Sequence, residues 1–265
     1  MAKKIFFWFA VILVALWFLT PVLFIFIAAL TPAEDYYNPH RILPRHLTLD
    51  HLYKLFFVLD GWKATLISIE VALVSIGLSF AIGLPAGYAM TRYRFPGKNA
   101  IRLSILLTRS IPLIVLAVPL MIIYMRVNLE DTVMGVALAH TAMILPFVVL
   151  ITSSIFSGIS VEYEEAGMIF GLSRFHSFLK ITLPLALPGL AASAIFSFIM
   201  SWNEVFVASV ITLTNRTLPA HILKTAMASP DYFKFAAGMI MAIPAMVFIF
   251  FTRRYLVSMW GISLK

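Results

Sequence analysis

The stretch Ser160-Val-Glu-Tyr-Glu-Glu-Ala-Gly-Met-Ile-Phe-Gly-Leu-Ser-Arg-Phe-His-Ser-Phe-Leu-Lys-Ile-Thr-Leu-Pro184 is the longest polar interruption between two apolar spans on its side of the chain. Its pattern predicts two short helices. Ser160 is placed to cap the first helix, and the acidic residues that follow suit the positive end of a helix dipole. Gly171 is expected to end that helix and Ser173 to open the second. Pro184 is expected to break the chain before the next span.

The middle of the first short helix combines small and apolar residues. Ala166 and Gly167 are small and adjacent, with acids before them and Met168, Ile169 and Phe170 after them. Small residues let another backbone approach closely, and Met and Phe offer adaptable apolar contact. This combination suits docking into a cleft of another protein. An amphipathic turn lying on a membrane surface accounts for the same composition, so both interpretations stay open at this point.

The composition indicates a membrane protein. The chain has 265 residues, of which 62% are hydrophobic and 12% charged, and its mean hydropathy is +0.97. A soluble domain of this length cannot hide so much apolar surface. The chain contains no cysteine, which excludes a disulfide framework and thiolate metal sites. No P-loop, HExxH or GxSxG motif occurs, and the six histidines lack metal-ligand spacing, so we expect neither catalytic residues nor a metal site.

Six stretches reach the roughly 20 apolar residues that a membrane-spanning helix requires. They are residues 6–30, 64–90, 103–125, 132–157, 185–211 and 236–256. Backbone groups inside lipid must be satisfied within the segment, so we predict an all-α membrane protein with six transmembrane helices in one domain, residues 1–265. Residues 31–63 are predicted to be an external segment and residues 158–184 a cytoplasmic loop between the fourth and fifth helices. The first apolar run is too long for a secretory signal and is interpreted as a retained anchor.

The charge distribution predicts that both termini are cytoplasmic. With the N-terminus inside, the inner segments hold 11 basic and 3 acidic residues, against 8 basic and 7 acidic residues in the outer segments. The inner basic residues also cluster at the ends of spans, where the positive-inside rule applies. The loop at residues 158–184 then lies in the cytoplasm.

Several polar side chains interrupt the apolar spans, where desolvation is costly. Glu70 in the second span is a candidate for the transport pathway or for a structural interaction. Trp202-Asn203-Glu204 in the fifth span form either an interhelical hydrogen-bond cluster or the lining or outer gate of a pathway. His140 in the fourth span is expected to be a satisfied interhelical partner rather than a ligand. Arg109 in the third span is expected to extend to the cytoplasmic face.

Part of the polar stretch resembles the EAA loop of permease subunits of ABC importers. Glu165-Ala166-Gly167, Gly171 and Ile181-Thr182-Leu183-Pro184 follow that family's spacing of EAA, a Gly four positions after the last Ala, and I-x-L-P. Gly167 stands where a second Ala is usual, and Phe170 stands where Asp is common.

Other segments are similar to the second permease subunit of carbohydrate importers of the maltose/trehalose and sugar-phosphate type. Trp202-Asn203-Glu204 is the most specific of these similarities. The segments are Thr31-Pro-Ala-Glu-Asp35, Ala86-Gly-Tyr-Ala-Met-Thr-Arg92, Ser201-Trp-Asn-Glu204 and Thr217-Leu-Pro219. Together with the loop, they extend the resemblance over nearly the whole chain.

This resemblance implies a permease subunit of an ATP-driven importer for a di- or oligosaccharide such as trehalose or maltose, in a prokaryotic plasma membrane. It implies a heterodimer with a homologous permease, two ATPase subunits inside and a sugar-binding protein outside, with no nucleic-acid partner. ATP and Mg would be used by the partner subunits, so this chain is expected to be no enzyme and to bind no cofactor. The implied ATPase-coupling residues are Glu164, Glu165, Ala166, Gly167, Met168, Phe170, Gly171 and Pro184.

Three other classes of protein are alternatives to a permease subunit of a sugar importer. An ABC permease for a non-sugar solute shares the same features. An ion-coupled secondary transporter needs intramembrane carboxylates as ion sites; only Glu70 and Glu204 qualify, and no inverted repeat is evident. An intramembrane enzyme needs a catalytic pair, and none is visible at a recognisable spacing.

Overall fold

A computed structural model describes residues 2–40, 43–226 and 229–259, and within these residues the chain forms helices joined by turns, without a strand. The helices are α1 (Ala2–Ala29), α2 (Ala33–Tyr36), α3 (Asp50–Tyr53), α4 (Gly61–Arg92), α5 (Lys98–Thr108), α6 (Leu113–Val127), α7 (Val133–Ser157), α8 (Val161–Ile169), α9 (Arg174–Ser177), α10 (Leu183–Trp202), α11 (Phe206–Ile211), α12 (Leu218–Ala226) and α13 (Asp231–Met259). Two π-helical turns, π1 (Lys54–Val58) and π2 (Phe178–Thr182), extend α3 and precede α10.

Four helical segments of the described chain are long and apolar enough to cross a membrane. They are Lys3–Ala29, Gly61–Arg92, Val133–Ser157 and Arg174–Trp202. The first, second and fourth predicted spans are therefore confirmed as continuous helices. The sixth predicted span lies within α13. The total of six crossings stays a prediction.

The third predicted span, residues 103–125, is wrong as a single helix. α5 ends at Thr108, and Pro112 has an extended backbone, with ψ of 124°, immediately before α6 begins. Proline lacks an N–H donor and disfavours helical backbone in the residue before it, so the chain breaks here. What remains of the span is a shorter apolar helix, Ile114–Val127.

The fifth predicted span, residues 185–211, is wrong at both ends. Helical backbone runs from Arg174 to Trp202, because π2 joins α9 to α10. Pro184 lies at the start of α10 and does not break the chain, since the wider π turn carries the backbone past a residue that lacks an N–H. At the other end the helix stops at Trp202, and α11 is a separate short helix.

The chain divides into two compact units, the first made of Met1–Lys63 and His221–Ala245. In this unit the predicted external segment is held by ring packing. The His51 ring lies 4.5 Å from the Tyr232 ring, and its Nε2 donates a hydrogen bond to the Thr31 carbonyl oxygen over 2.9 Å. These contacts fix the position of α3.

The second unit comprises Ala64–Ala220 and Met246–Lys265 and has two buried apolar clusters. One joins the first turns of α4 and α7 to α6 and α11, with Val71, Val136 and Val207 fully buried. The other joins the last turns of α4 and α7 to the start of α10, around Tyr88 and Phe156. The two clusters lie at opposite ends of the α4–α7 pair. They pack α6 and α11 against one end of the pair and the start of α10 against the other.

α4 and α7 approach each other closely where α4 carries glycines. Thr152 Oγ1 donates a hydrogen bond to the Gly83 carbonyl oxygen over 3.2 Å. A Cβ atom added to Gly87 would collide with Thr152 Oγ1 and lie 2.9 Å from the Ser153 nitrogen. Small residues permit this close packing of membrane helices. The distance between α4 and α7 at this point therefore requires a glycine at position 87.

We expect Gly87→Ala to lower the unfolding free energy by about 1–3 kcal/mol, because the added methyl group forces α4 and α7 apart. Thermal unfolding of the purified protein in detergent measures the effect. Gly77→Ala is the matched control on the same helix, since nothing lies within 4 Å of a Cβ atom there. Equal melting temperatures for the two variants would contradict the required close approach.

Candidate functional site

The polar stretch that interrupts the apolar spans, residues 160–184, forms two helical arms and is called the elbow here. Ser160 Oγ accepts a hydrogen bond from the first turn of α8 over 3.3 Å. Gly171 ends α8 with φ of +88°, its N–H donates to Met168 O over 3.0 Å, and the Leu172 N–H donates to Gly167 O over 3.1 Å. This is a Schellman motif, which favours glycine at the left-handed position.

The second arm begins at Ser173, whose Oγ accepts a hydrogen bond from the His176 N–H over 3.3 Å. The predicted roles of Ser160, Gly171 and Ser173 are therefore confirmed. From Arg174 the arm passes through π2 into α10 without a break. One arm of the elbow is thus the beginning of a long apolar helix.

A buried carboxylate fastens the elbow to the end of α4. The Tyr88 hydroxyl donates a hydrogen bond to Glu164 Oε2 over 2.6 Å, and Arg92 Nε donates to Glu164 Oε1 over 2.7 Å. Arg92 Nη2 also donates to the Ile159 carbonyl oxygen over 2.9 Å. The Glu164 side chain is 4% exposed and that of Arg92 is 8% exposed, so water screens this ion pair only weakly.

The backbone of Glu164 ties the two arms of the elbow together. Ser177 Oγ, in the second arm, donates a hydrogen bond to the Glu164 carbonyl oxygen over 3.0 Å. Gly167 is buried against that arm, since an added Cβ atom would collide with Ile181 and lie 3.2 Å from Ser177 Oγ. The elbow is therefore braced internally as well as against α4.

Opposing effects act on the pKa of Glu164. Burial by itself raises the pKa of this carboxyl, but the hydrogen bonds from Tyr88 and Arg92 and the charge of Arg92 outweigh burial and hold its pKa below the ordinary value of 4.5. Glu164 is therefore ionised at neutral pH. Since its pKa is lower in the folded state, the stabilisation is fully present above about pH 4.5 and is lost as the pH falls through the lowered pKa.

The far side of the elbow exposes large apolar side chains. Ile169 is 84% exposed and Phe170 is 88% exposed, at the end of α8 directly before the Gly171 turn. We call these two residues the tip. Two adjacent side chains of this size, held in the open by a braced turn, form an apolar projection suited to contact with another surface.

The structure separates the predicted coupling residues into two groups. Glu164 and Gly167 are buried inside the elbow and cannot contact another protein without disrupting it. The remaining residues are accessible, with Met168 half-buried and the others exposed: Glu165, Ala166, Phe170, Gly171 and Pro184. Sequence reasoning missed the bracing role of Tyr88 and Arg92, and it named Ile169 beside Phe170 without including it among the coupling residues. Arg92 ends the segment 86–92, which is similar to carbohydrate-importer permeases, but in the sequence it was counted only as one of the basic residues of the inner segments.

A second polar cluster lies where α10 ends. His140 is fully buried on α7, with its Nδ1 2.8 Å from Ser201 Oγ and its Nε2 3.3 Å from Glu204 Oε2. Glu204 also accepts the Val207 and Ala208 N–H groups over 2.9 and 3.0 Å, which caps α11. His140 is therefore a satisfied interhelical partner, as predicted. For Glu204 the geometry agrees with the interhelical hydrogen-bond cluster.

The other pathway candidates have different surroundings. The Trp202 ring is 1% exposed and stacks on Phe198, with centroids 5.6 Å apart, whereas Asn203 is exposed. Glu70 is exposed on α4, and in the described part of the chain no hydrogen bond or ion pair to it is found. The pathway role of these residues stays a prediction.

Long apolar helices joined by a braced, projecting elbow define a multi-pass helical membrane protein. The family described as "Binding-protein-dependent transport system inner membrane component" matches residues 79–259, which include the end of α4, the elbow and the end of α10. The chain belongs to this family of ABC-importer permeases, whose members are transport components rather than enzymes in themselves.

Curated relatives are similar over most of their length. The trehalose transport system permease protein SugB of Mycobacterium tuberculosis (strain CDC 1551 / Oshkosh) is 31% identical over 247 residues, which cover 91% of this chain and 89% of SugB. The diacetylchitobiose uptake system permease protein DasC of Streptomyces coelicolor is 26% identical, covering 90% of this chain and 88% of DasC.

A solved structure supports the fold. A chain of a bacterial ABC transporter involved in the import of the acidic polysaccharide alginate has a TM-score of 0.77 at 20% identity, covering 96% of this chain and 98% of that one. A chain of the MetNI methionine ABC transporter has a TM-score of 0.62 at 20% identity, covering 80% of this chain and 99% of that one. At such identities the likeness concerns the backbone alone.

We expect Glu164→Gln to destabilise the protein by about 3–5 kcal/mol, because it leaves the Arg92 guanidinium buried without its carboxylate. Glu165→Gln is the matched control, since its side chain is adjacent but exposed. Thermal unfolding in detergent compares the two at pH 7. The difference should shrink as the pH falls below about 4.5 and the native Glu164 takes up a proton. A pH-independent difference would contradict the role of the carboxylate charge.

Proposed function

We propose that this chain is the transmembrane permease subunit of an ATP-driven importer for a sugar, forming half of the translocation pathway and coupled to ATPase subunits through the elbow. The observation that carries the coupling role is the apolar tip, Ile169 and Phe170, exposed on a turn braced by Glu164. A braced projection of this kind passes on a displacement better than a flexible loop does. The alternative of an amphipathic turn on a membrane surface does not require the buried ion pair beneath it.

A sugar substrate is inferred from relatives. The names of SugB and DasC give trehalose and diacetylchitobiose as the transported sugars. A third relative, the alpha-glucoside transport system permease protein AglG of Rhizobium meliloti, is 30% identical over 81% of this chain and 59% of AglG. The proposed substrate is therefore a di- or oligosaccharide such as trehalose or maltose. An importer for a non-sugar solute is the alternative that uptake assays decide.

The proposed assembly contains four kinds of protein. This chain pairs with a homologous permease, two ATPase subunits bind at the elbow side and use ATP and Mg, and a sugar-binding protein docks on the opposite side. This chain itself binds no cofactor in the proposal. In the proposal both termini and the elbow lie in the cytoplasm of a prokaryotic cell, and the excess of basic residues in the inner segments supports this orientation.

Phe170→Ser tests the coupling role in the assembled transporter. Replacing a central apolar contact should lower retention of the ATPase subunits and ATP-dependent sugar uptake by roughly tenfold or more. Co-purification and proteoliposome uptake are the measurements. Phe57→Ser is the control, since Phe57 is 68% exposed on the predicted external segment. Full ATPase retention and uptake in the Phe170 variant would refute the docking role of the tip.

The orientation can be tested in the native background, because the chain contains no cysteine. Phe170→Cys should react with a membrane-impermeant thiol reagent only after the cells are opened. Leu213→Cys, 66% exposed in the turn after α11, should react in intact spheroplasts. Labelling is read on the purified chain by mass spectrometry. The reverse pattern of labelling would place the elbow outside and end the coupling proposal.

A further inference from the structure

The break between α5 and α6 places a charged side chain against an aromatic ring of α7. The Arg109 guanidinium carbon lies 3.6 Å from the centroid of the Phe147 ring, within the range of a cation–π contact. The Phe147 ring is in turn 5.4 Å from the Phe196 ring of α10, at an interplanar angle of 56°. A guanidinium and two aromatic rings thus form a row that crosses from the helix break to α7 and α10.

This row lies far from either end of α7. Phe147 follows the first residue of α7 by 14 positions and precedes the last by 10, which places it about 21 Å and about 15 Å from the two ends. The expectation that Arg109 extends to the cytoplasmic face is therefore wrong, because the guanidinium rests on the middle of a spanning helix instead. α7 is long enough to cross a bilayer, so the charge lies near its mid-depth.

A guanidinium at this depth needs a polar surrounding. Arg109 is exposed, and within the described residues no carboxylate forms an ion pair with it. A charge at mid-depth faces a water-filled cavity or a partner group, and non-helical backbone at that depth is tolerated only inside protein or along such a cavity. The charge and the broken backbone at Ser110–Pro112 occur together, and each is accounted for by a water-filled space or by an adjoining protein surface.

We propose that Arg109, Phe147 and Phe196 form a carbohydrate contact inside the translocation pathway; this inference rests on the proposed function. The guanidinium carries five N–H donors in a planar fork, which suits the closely spaced hydroxyl oxygens of a sugar ring. Phe196 is 42% exposed and offers an apolar surface to the C–H side of the same ring. A few placed polar groups among aromatic side chains are the usual composition of a small-molecule site.

The contact with Phe147 explains how the guanidinium stays available without a counter-ion. Arginine stacks on aromatic rings through its planar face and leaves its N–H groups directed to the edge. The ring therefore holds the position of the guanidinium while the donors remain free for hydroxyl groups. A lysine at this position keeps the charge but loses the planar stack and the fork.

The test uses the complete transporter in proteoliposomes, with ATP-dependent uptake of trehalose, maltose and diacetylchitobiose. We expect Arg109→Gln to raise KM for uptake by about tenfold or more, since it removes charged donors from the sugar. Retention of the partner subunits should stay at the native level. Arg109→Lys should give a KM between those of the native and the Arg109→Gln transporters. Phe196→Leu should also raise KM, although leucine keeps the site apolar. Arg126→Gln, exposed just before the turn after α6, is the control.

Three outcomes would contradict the proposed carbohydrate contact. Native KM in both Arg109→Gln and Phe196→Leu overturns it while leaving the proposed function intact. Loss of the partner permease from the Arg109→Gln complex overturns it in favour of a subunit contact. A native transporter that takes up none of the three sugars with ATP overturns this inference together with the sugar substrate.

Discussion

The ion pair between Glu164 and Arg92 is the interaction on which the rest of the elbow depends. It is buried, and a third group, the Tyr88 hydroxyl, shares the same carboxylate. A buried pair of this kind adds little net stability compared with apolar packing, but it strongly disfavours any arrangement that separates its members. It therefore specifies where α8 lies relative to the end of α4.

The elbow divides its residues between bracing and exposure. Glu164 and Gly167 face inward and hold α8 to its surroundings, whereas Ile169 and Phe170 point away from any described neighbour. Glu164 and Gly167, three residues apart, share one face of α8, and the helix ends at Ile169, so the Gly171 turn leaves Ile169 and Phe170 exposed instead of continuing that face. An apolar tip is costly in water, and bracing is what prevents it from folding back onto the protein.

Local signals were readable in the sequence, whereas long-range ones were not. Ser160, Gly171 and Ser173 act on backbone groups within a few residues, so their roles could be predicted. The partners of Glu164 were out of reach, because Arg92 is 72 positions away and looked like one inner charge among several. The long apolar runs predicted α1, α4 and α7 because length and composition suffice there.

Prolines and polar residues inside apolar runs marked the limits of prediction. Pro112 breaks a helix and Pro184 does not, although both interrupt apolar sequence. Pro184 directly follows a π turn that no residue pattern announced, and Pro119, Pro146 and Pro188 also lie inside helices. Trp202-Asn203-Glu204 looked like polar residues inside a helix. They mark its end instead, where Glu204 satisfies N–H groups of the next helix.

The unbroken helix from Arg174 to Trp202 has a mechanical consequence. Its 29 residues measure about 43 Å, with the elbow at one end and the Ser201–His140–Glu204 hydrogen bonds at the other. π2, Pro184 and Pro188 are the places where such a helix bends most readily, and none of the three lies beyond its midpoint. The stretch after Pro188 runs to Trp202 without a further proline or π turn, so a tilt that reaches it is resisted at the far end by three hydrogen-bonded side chains.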